Sequence, residues 1–380
     1  MTHIMVLGAG YTGMMAAIRV AVKTRRQGVR VTLVNASPRF TERLRMHQTA
    51  AGQRLTCHSI EKVIAGTGIT FLRDRVTGLD PGRHEVTLQS GRVARFDKLI
   101  YALGTVTDRS TPGVSEHAHV YDDHDGAVRL ADALNRLTEG TVVVAGGGLT
   151  GVESVTEIAE AHPHLRVVLL SRGTPAAMMG DSARAYVLRA MDRLGIEVRA
   201  GAEVEKVLPD AVALAGGELI ESSVTLWTAG TTGLPLARES GLAVDGRGRV
   251  VVDATLRSVS HPDVYAVGDA AAVRQSYGVI HGTCQSGIPT ALHAADVIAA
   301  RLRGGRARPF RFGYFHQPLS LGRGDAVIQF TRNDDSPRRA YLTGRWAIVY
   351  KEAVTRSPLP GMALLKRGLV PARAFRVSNG

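Results

Sequence analysis

A glycine-rich turn occurs twice in this chain at the same spacing, and no other feature restricts its folding as strongly. The opening "HIMVLGAGYTGMMAAIRVAVKTRRQGVRVTLVNAS" runs an apolar strand (Ile4 to Leu7) into Gly8-x-Gly10-x-x-Gly13. A helix with Ala16 and Ala17 toward a sheet follows, then a second strand, Val31 to Val34. The stretch "TVVVAGGGLTGVESVTEIAEAHPHLRVVLLSRG" repeats the unit with Gly146, Gly148 and Gly151, and the strand ends Asn35 and Ser171 fall in matching places. In such a turn the first glycine permits a tight bend, the second admits a pyrophosphate to the backbone, and the third brings helix and strand together. The phosphates then rest on free N–H groups at a helix N-terminus. A single match is weak, because glycine turns also serve packing. Two, each set between a strand and a helix, predict two dinucleotide-binding halves. Hydride passage between a nicotinamide and a flavin is the economical use of such a pair, because the cofactors contain the reactive atoms.

Three later stretches carry a resemblance. "TLRSVSHPDVYAVGDAAA" resembles the second FAD-binding motif of the two-dinucleotide-domain flavoproteins, the pyridine nucleotide-disulfide oxidoreductase family, with Gly268-Asp269 as the strand-end pair whose Asp accepts from the ribityl chain. "DKLIYALGT" and "SVTLWTAGTTG" are similar to the strand-and-glycine crossovers of that family, through Ala102 and Gly104 and through Ala229 and Gly230. "GGGLTGVE" (Gly146 to Glu153), with no redox cysteine pair after the first domain, is most similar to type II NADH dehydrogenases and apoptosis-inducing-factor-like reductases. The resemblance implies an α/β fold: two Rossmann-like three-layer nucleotide-binding domains, for FAD and NAD(P)H, plus a small α+β C-terminal domain. The expected boundaries are 1–112 with 231–305 for FAD, 113–230 for NAD(P)H and 306–380 for a domain that covers the flavin or forms a homodimer contact. It also implies an FAD-dependent enzyme passing electrons from NAD(P)H to a small-molecule, quinone-like acceptor. A peripheral-membrane NADH:quinone dehydrogenase and a redox-sensing flavoprotein acting on a protein partner are the alternatives.

Beyond the glycines, Tyr11 and Thr12 in the first turn and Leu149 and Thr150 in the second are expected at the cofactors, with Arg43 of "SPRFTERLR" near the FAD phosphates. Asn35 stands where the family usually has a Glu for the adenosine ribose; an amide both accepts and donates. Ser171 and Arg172 end the second nucleotide strand in place of the carboxylate that takes the NAD ribose hydroxyls. Their hydroxyl and guanidinium suit a 2′-phosphate through paired charged hydrogen bonds, so NADPH is expected over NADH. The competing reading is an Arg172 that is simply solvated.

Glu153, Gln285 and Cys284 are the candidates nearest the chemistry. Glu153 either approaches the flavin or nicotinamide, as the resemblance implies, or serves the helix N-terminus through the dipole. Gln285 matches the first Gln of the Ala-Gln and Gln-Gln pairs near the quinone in type II enzymes, whereas Pro289 and Thr290 replace the second pair. Cys284 is either a redox thiol or a small apolar filler. Glu157 and Glu160, further along the second helix, are expected at the surface. "EHAHVYDDHDG" (Glu116 to Gly126) has three His and three Asp but no paired ligand spacing, so turn and capping roles are expected and no metal.

With 380 residues, 44% of them apolar, the chain can bury two or three cores. It shows no secretory signal and no run of ~20 apolar residues, and the expectation is a cytoplasmic protein, peripheral at the inner face of the membrane in the quinone-reductase alternative. Cys57 and Cys284 are too far apart in sequence to suggest a dithiol centre. Of the net charge of +13, an excess of 12 lies in residues 301–380, where sixteen Arg and Lys face Asp325, Asp334, Asp335 and Glu352. That excess fits a membrane-surface contact through the basic C-terminal region; nucleic acid is not expected as a partner, and an Arg-rich solvated surface is the plainer alternative. "YFHQPLSLGRGDAVIQF" and "RRAYLTGRWAIVYKEAV" alternate apolar and polar residues and read as strands followed by short helices. "PLPGMALLKRGLVPARAF" (Pro358 to Phe375) is a short apolar stretch among cations.

Overall fold

A computed structural model describes residues 1–370; Pro371 to Phe375 of the last apolar stretch lie outside the described residues. Two five-stranded parallel sheets carry the two glycine units. The first has the order Val264–Ala266, Lys98–Tyr101, His3–Leu7, Arg30–Asn35, Thr70–Arg73. The second has the order Ala118–His119, Val224–Trp227, Thr141–Ala145, Arg166–Ser171, Glu197–Ala200.

The sequence repeat is a repeat of register. His3 to Leu7 pair with Arg30 to Val34, and Thr141 to Ala145 pair with Arg166 to Leu170. In each sheet the chain then crosses to the other side of the first strand, to Lys98–Tyr101 or to Val224–Trp227. That reversal opens a crevice at the strands' carboxyl ends, where an open α/β sheet receives its ligand. All these central strands are buried on both faces, hence their continuous apolar runs.

Five helices position the site: α1 (Tyr11–Thr24), α2 (Leu149–Ala161), α3 (Cys284–Arg301), α4 (Gly344–Arg356) and α5 (Pro358–Lys366). Ala16 and Ala17 of α1 are fully buried, as their small size anticipates. Helices α1 and α3 pack along each other, pinned by Arg19, whose Nε and Nη2 donate to the two Asp296 carboxylate oxygens at 2.8 and 3.0 Å. The two crossovers meet, because Thr105–Thr107 pairs antiparallel with Thr231–Gly233.

After the first two units come three antiparallel strands, His316–Ser320, Ala326–Thr331 and Pro337–Thr343, followed by α4 and α5. The stretch "RRAYLTGRWAIVYKEAV" is strand to Thr343 and helix from Gly344, the order of strand then helix read from its sequence. Ala347, Lys351 and Thr355 are buried at a spacing of four, the period of a helix with one face inward. In the His- and Asp-rich segment, Asp123 caps the helix His124–Asn135, its Oδ1 accepting from Gly126 N–H at 2.8 Å.

Candidate functional site

Each glycine of the two turns has a separate steric reason. Gly8 has φ +94°, and a Cβ there would lie 2.5 Å from the Ala102 carbonyl oxygen. Gly146 has φ +125°, and its Cβ would lie 2.5 Å from Thr228 Oγ1. A Cβ on Gly13 would overlap the Gly8 carbonyl oxygen, and one on Gly151 would overlap that of Gly146. These four close the turns on their helices. Gly10 and Gly148, the N-caps of α1 and α2, are different: a Cβ on either would meet nothing within 4 Å. Packing does not require glycine at these two places, and the open space lies where free N–H groups of a helix end would receive a pyrophosphate.

Around the first turn the structure gathers most of the residues anticipated for FAD. Thr12 packs against Gly268, where a Cβ would lie 2.7 Å from Thr12 Cγ2, and Ala102 N–H donates to Leu7 O at 2.9 Å. Arg43 Nη1 donates to Thr105 O at 3.4 Å, beside Gly104. Tyr11 stacks edge-on against Phe40 with its buried hydroxyl unpartnered. Asn35 Oδ1 accepts from Ala9 N–H at 3.0 Å and its Nδ2 donates to Ser37 O at 2.8 Å, so this amide ties the sheet end to the glycine turn. Asp269 is half-buried and has no hydrogen-bond or ion-pair partner among the described residues. Burial raises its pKa, and the charges of Arg43, Arg249 and His281 only partly offset this. An acceptor left open beside two cations suits a hydroxyl-bearing ligand chain.

Around the second turn, Ser171 is buried under Gly147, where any Cβ would overlap the serine Oγ. Arg172 is exposed and makes no ion pair among the described residues. Ala229 and Gly230 (φ +81°) lie where Trp227 Nε1 donates to Asp108 O and Ala229 O, at 2.9 and 3.0 Å. Leu149 is half-buried, while Thr150 is exposed and its carbonyl accepts from Ser154 Oγ at 2.6 Å.

The remaining candidates are bound up with the C-terminal segment. Gln285 holds its strand edge with both ends of the amide: Nε2 donates to His316 O and Oε1 accepts from Phe315 N–H, each at 2.8 Å. Thr290 Oγ1 accepts from Gly268 N–H at 2.9 Å. Burial, and next the Asp269 charge, push the Cys284 thiol up to about 12, so it stays protonated at neutral pH.

Glu153 does not serve the helix end, which has no acidic residue in its first turn. Its Oε1 takes Lys351 Nζ at 2.6 Å and Ser320 N–H at 3.1 Å, and its Oε2 lies 3.7 Å from His47 Nδ1. Burial works to raise its pKa, but the Lys351 ammonium and its other partners prevail and hold it below the usual carboxylate range. Glu160 is exposed, as expected, whereas Glu157 is corrected from the surface expectation. Glu157 is 1% exposed and takes Arg323 Nε at 2.8 Å and Gln53, while Glu160 accepts from Arg323 N–H. Part of the C-terminal positive charge is thus consumed internally, by Arg323 and Lys351. His47, Gln53, Arg323 and Lys351 belong to no local motif. The excess of cations over acids after residue 301 was the one sequence sign of partners elsewhere.

The profile of the family described as pyridine nucleotide-disulphide oxidoreductase matches residues 2–296. An NADH dehydrogenase-like protein of Mycobacterium tuberculosis is 29% identical over 99% of this chain and 99% of its own length. A type II NADH:quinone oxidoreductase of Staphylococcus epidermidis is 25% identical over 89% of this chain and 92% of its own. Among solved structures, the sulfide:quinone oxidoreductase of Aquifex aeolicus superposes with a TM-score of 0.82 over 98% of this chain and 93% of its own, at 18% identity, a likeness of fold.

Proposed function

This chain belongs to the pyridine nucleotide-disulphide oxidoreductase family, and on that premise we propose that it is an FAD-dependent oxidoreductase that takes hydride from NAD(P)H, NADPH preferred, and passes electrons to a small-molecule acceptor. When bound, a flavin would supply the redox chemistry, with hydride uptake and onward electron release. The protein binds, aligns and shields. Gly8, Gly10 and Gly13 would cradle the FAD pyrophosphate, with Asp269 holding a ribityl hydroxyl. Gly146, Gly148 and Gly151 would do the same for the pyridine nucleotide, with Arg172 taking a 2′-phosphate and Ser171 lining the strand end. Catalysis then comes from alignment and exclusion of water rather than from a side-chain nucleophile, in keeping with a Cys284 thiol that stays neutral. Glu153 and Gln285 act as positioning residues through the C-terminal segment that they hold in place.

The observation that carries this reading is the open space at Gly10 and Gly148 combined with the unpartnered Asp269 carboxylate. The decisive experiment is flavin content of the purified protein, followed by anaerobic bleaching with NADPH and with NADH and a screen of acceptors for reoxidation. Yellow protein bleached faster by NADPH is expected, and Asp269→Ala should come off the column with its flavin largely lost. Colourless wild-type protein that takes up no added flavin would overturn the reading.

A second reading, a peripheral NADH:quinone reductase, draws on one surface. On α4, Trp346 and Val349 are 67% and 60% exposed, and Arg345 on the same helix and Arg338, Arg339 and Tyr341 on the strand before it are exposed too. No helix among the described residues is long and apolar enough to cross a membrane, so any membrane contact there would be at the surface. Sedimentation with phosphatidylserine vesicles at low salt, lost at high salt, would favour it. Gln285 speaks against a quinone site of the type II pattern, since its amide is already engaged by the C-terminal chain.

A further inference from the structure

A cavity of ≈ 190 Å³ opens at the end of the first sheet away from the glycine turns. It lies among Lys98, Arg257, Tyr265 and Arg301, with the Asp263 carboxylate also in its lining and Pro262 and Ile298 as apolar walls. Lys98 starts the strand whose far end leads to Ala102, and Arg301 closes the helix α3 that Cys284 opens. With 18 residues in α3, the cavity stands about 27 Å from the flavin end of that helix. It is therefore a place apart from both glycine turns.

Its charges do not cancel. Lys98 pairs with Asp263, which His84 Nε2 also approaches at 3.3 Å, and Arg257 Nε lies 3.4 Å from Asp253 Oδ2. Arg301 has no carboxylate within ion-pair distance among the described residues; it donates only to two neutral oxygens, Tyr265 Oη at 3.2 Å and Thr255 Oγ1 at 3.4 Å. A guanidinium has five N–H donors, so Arg301 keeps most of its capacity, and the Nη groups of Arg257 make no hydrogen bond among the described residues. The phenol of Tyr265 receives from Arg301 and still has its own proton to give. Two guanidinium forks and a phenol around a space holding one uncompensated positive charge make an anion receptor, and the paired donors favour a tetrahedral phosphate. The volume is about six times the ~30 Å³ share of a water, more than a phosphate ion fills and far less than a dinucleotide needs.

We propose that this cavity is a second anion site, which binds the phosphate group of a small phosphomonoester whose organic part lies on Pro262 and Ile298. Isothermal titration of the flavin-loaded protein with inorganic phosphate and with glycerol 3-phosphate, at constant ionic strength, tests it. One saturable site is expected for each probe, at least threefold tighter for the ester. Arg301→Gln should weaken both at least tenfold, and Arg257→Gln provides the same readout if the first variant folds poorly. Arg172→Ala should leave both unchanged. Absence of saturable binding, unaltered binding in both cavity variants, or loss in Arg172→Ala would overturn the site; inorganic phosphate binding as tightly as the ester would overturn the role of the apolar walls.

Discussion

Lys351 Nζ lies 2.6 Å from Glu153 Oε1, and this contact fastens the C-terminal segment to the helix of the second glycine turn. Both side chains are largely buried, at 8% and 13% exposure, and Lys351 also donates to Pro318 O at 3.1 Å. The pair sits in a seam where His47, Gln53, Glu157, Arg323 and Glu352 join all three parts of the chain. Glu153, a candidate near the chemistry by sequence, is thus a structural tie between these parts.

Lys351→Met leaves a buried carboxylate without its cation. A loss of about 3 kcal/mol is expected, because breaking a buried pair from one side costs more than replacing both members. The double variant Glu153→Gln with Lys351→Met should recover most of it. Urea unfolding followed by circular dichroism checks this; a double variant as unstable as the single would show that the pair is not coupled.

Acid should weaken the fold through His47. Burial, the largest cause, lowers its pKa to about 4, with Lys351, Arg323 and Arg45 adding to the effect and Glu153 opposing it. The unfolded imidazole titrates near 6.5 and so takes up a proton that the folded one refuses. Stability from this source is full above about 6.5 and is lost as pH falls toward 4, with a slope of at most about 1.4 kcal/mol per pH unit for one proton. His316, also lowered to about 4 by burial, adds a second such contribution. His47→Gln should reduce the slope in unfolding titrations between pH 6.5 and 4, and an unchanged slope would contradict this.

The glycines of the second turn should divide into two classes. Gly151→Ala should prevent or severely weaken folding, since its methyl overlaps the Gly146 carbonyl. Gly148→Ala should fold with a Tm near wild type, because space is free around it and its φ of −73° suits any residue. It should nevertheless raise the KM for the pyridine nucleotide, on the order of tenfold, while flavin content stays constant. Equal behaviour of the two variants would undo the assignment of Gly148 to phosphate approach.

Arg172→Ala should cost NADPH about ten- to a hundredfold in kcat/KM and NADH little, as fits the loss of one or two charged hydrogen bonds of ~1.5–3 kcal/mol. Steady-state kinetics with both coenzymes decides. An equal fall for both, or none, would return Arg172 to the solvated surface where the structure exposes it.

The two nucleotide-binding units were legible in the sequence because their information is local. Gly8 and Gly146 need positive φ, Gly13 and Gly151 need a missing Cβ, and the apolar runs Ile4–Leu7 and Val142–Ala145 need burial on both faces; each requirement is met within about thirty residues. A capping role within Glu116 to Gly126 was legible for the same reason, though not that Asp123 fills it. What the tertiary structure alone decided is how distant polar groups meet. Glu153 and Glu157 read as capping or surface residues until Lys351 and Arg323 arrive from far along the chain, and Gln285 reads as a free ligand until the Phe315–His316 edge takes both ends of its amide. A carboxylate's local sequence does not encode which cation will neutralise it, because Coulomb and hydrogen-bond partners are chosen by proximity in space, whereas a glycine's backbone conformation is imposed by its immediate neighbours.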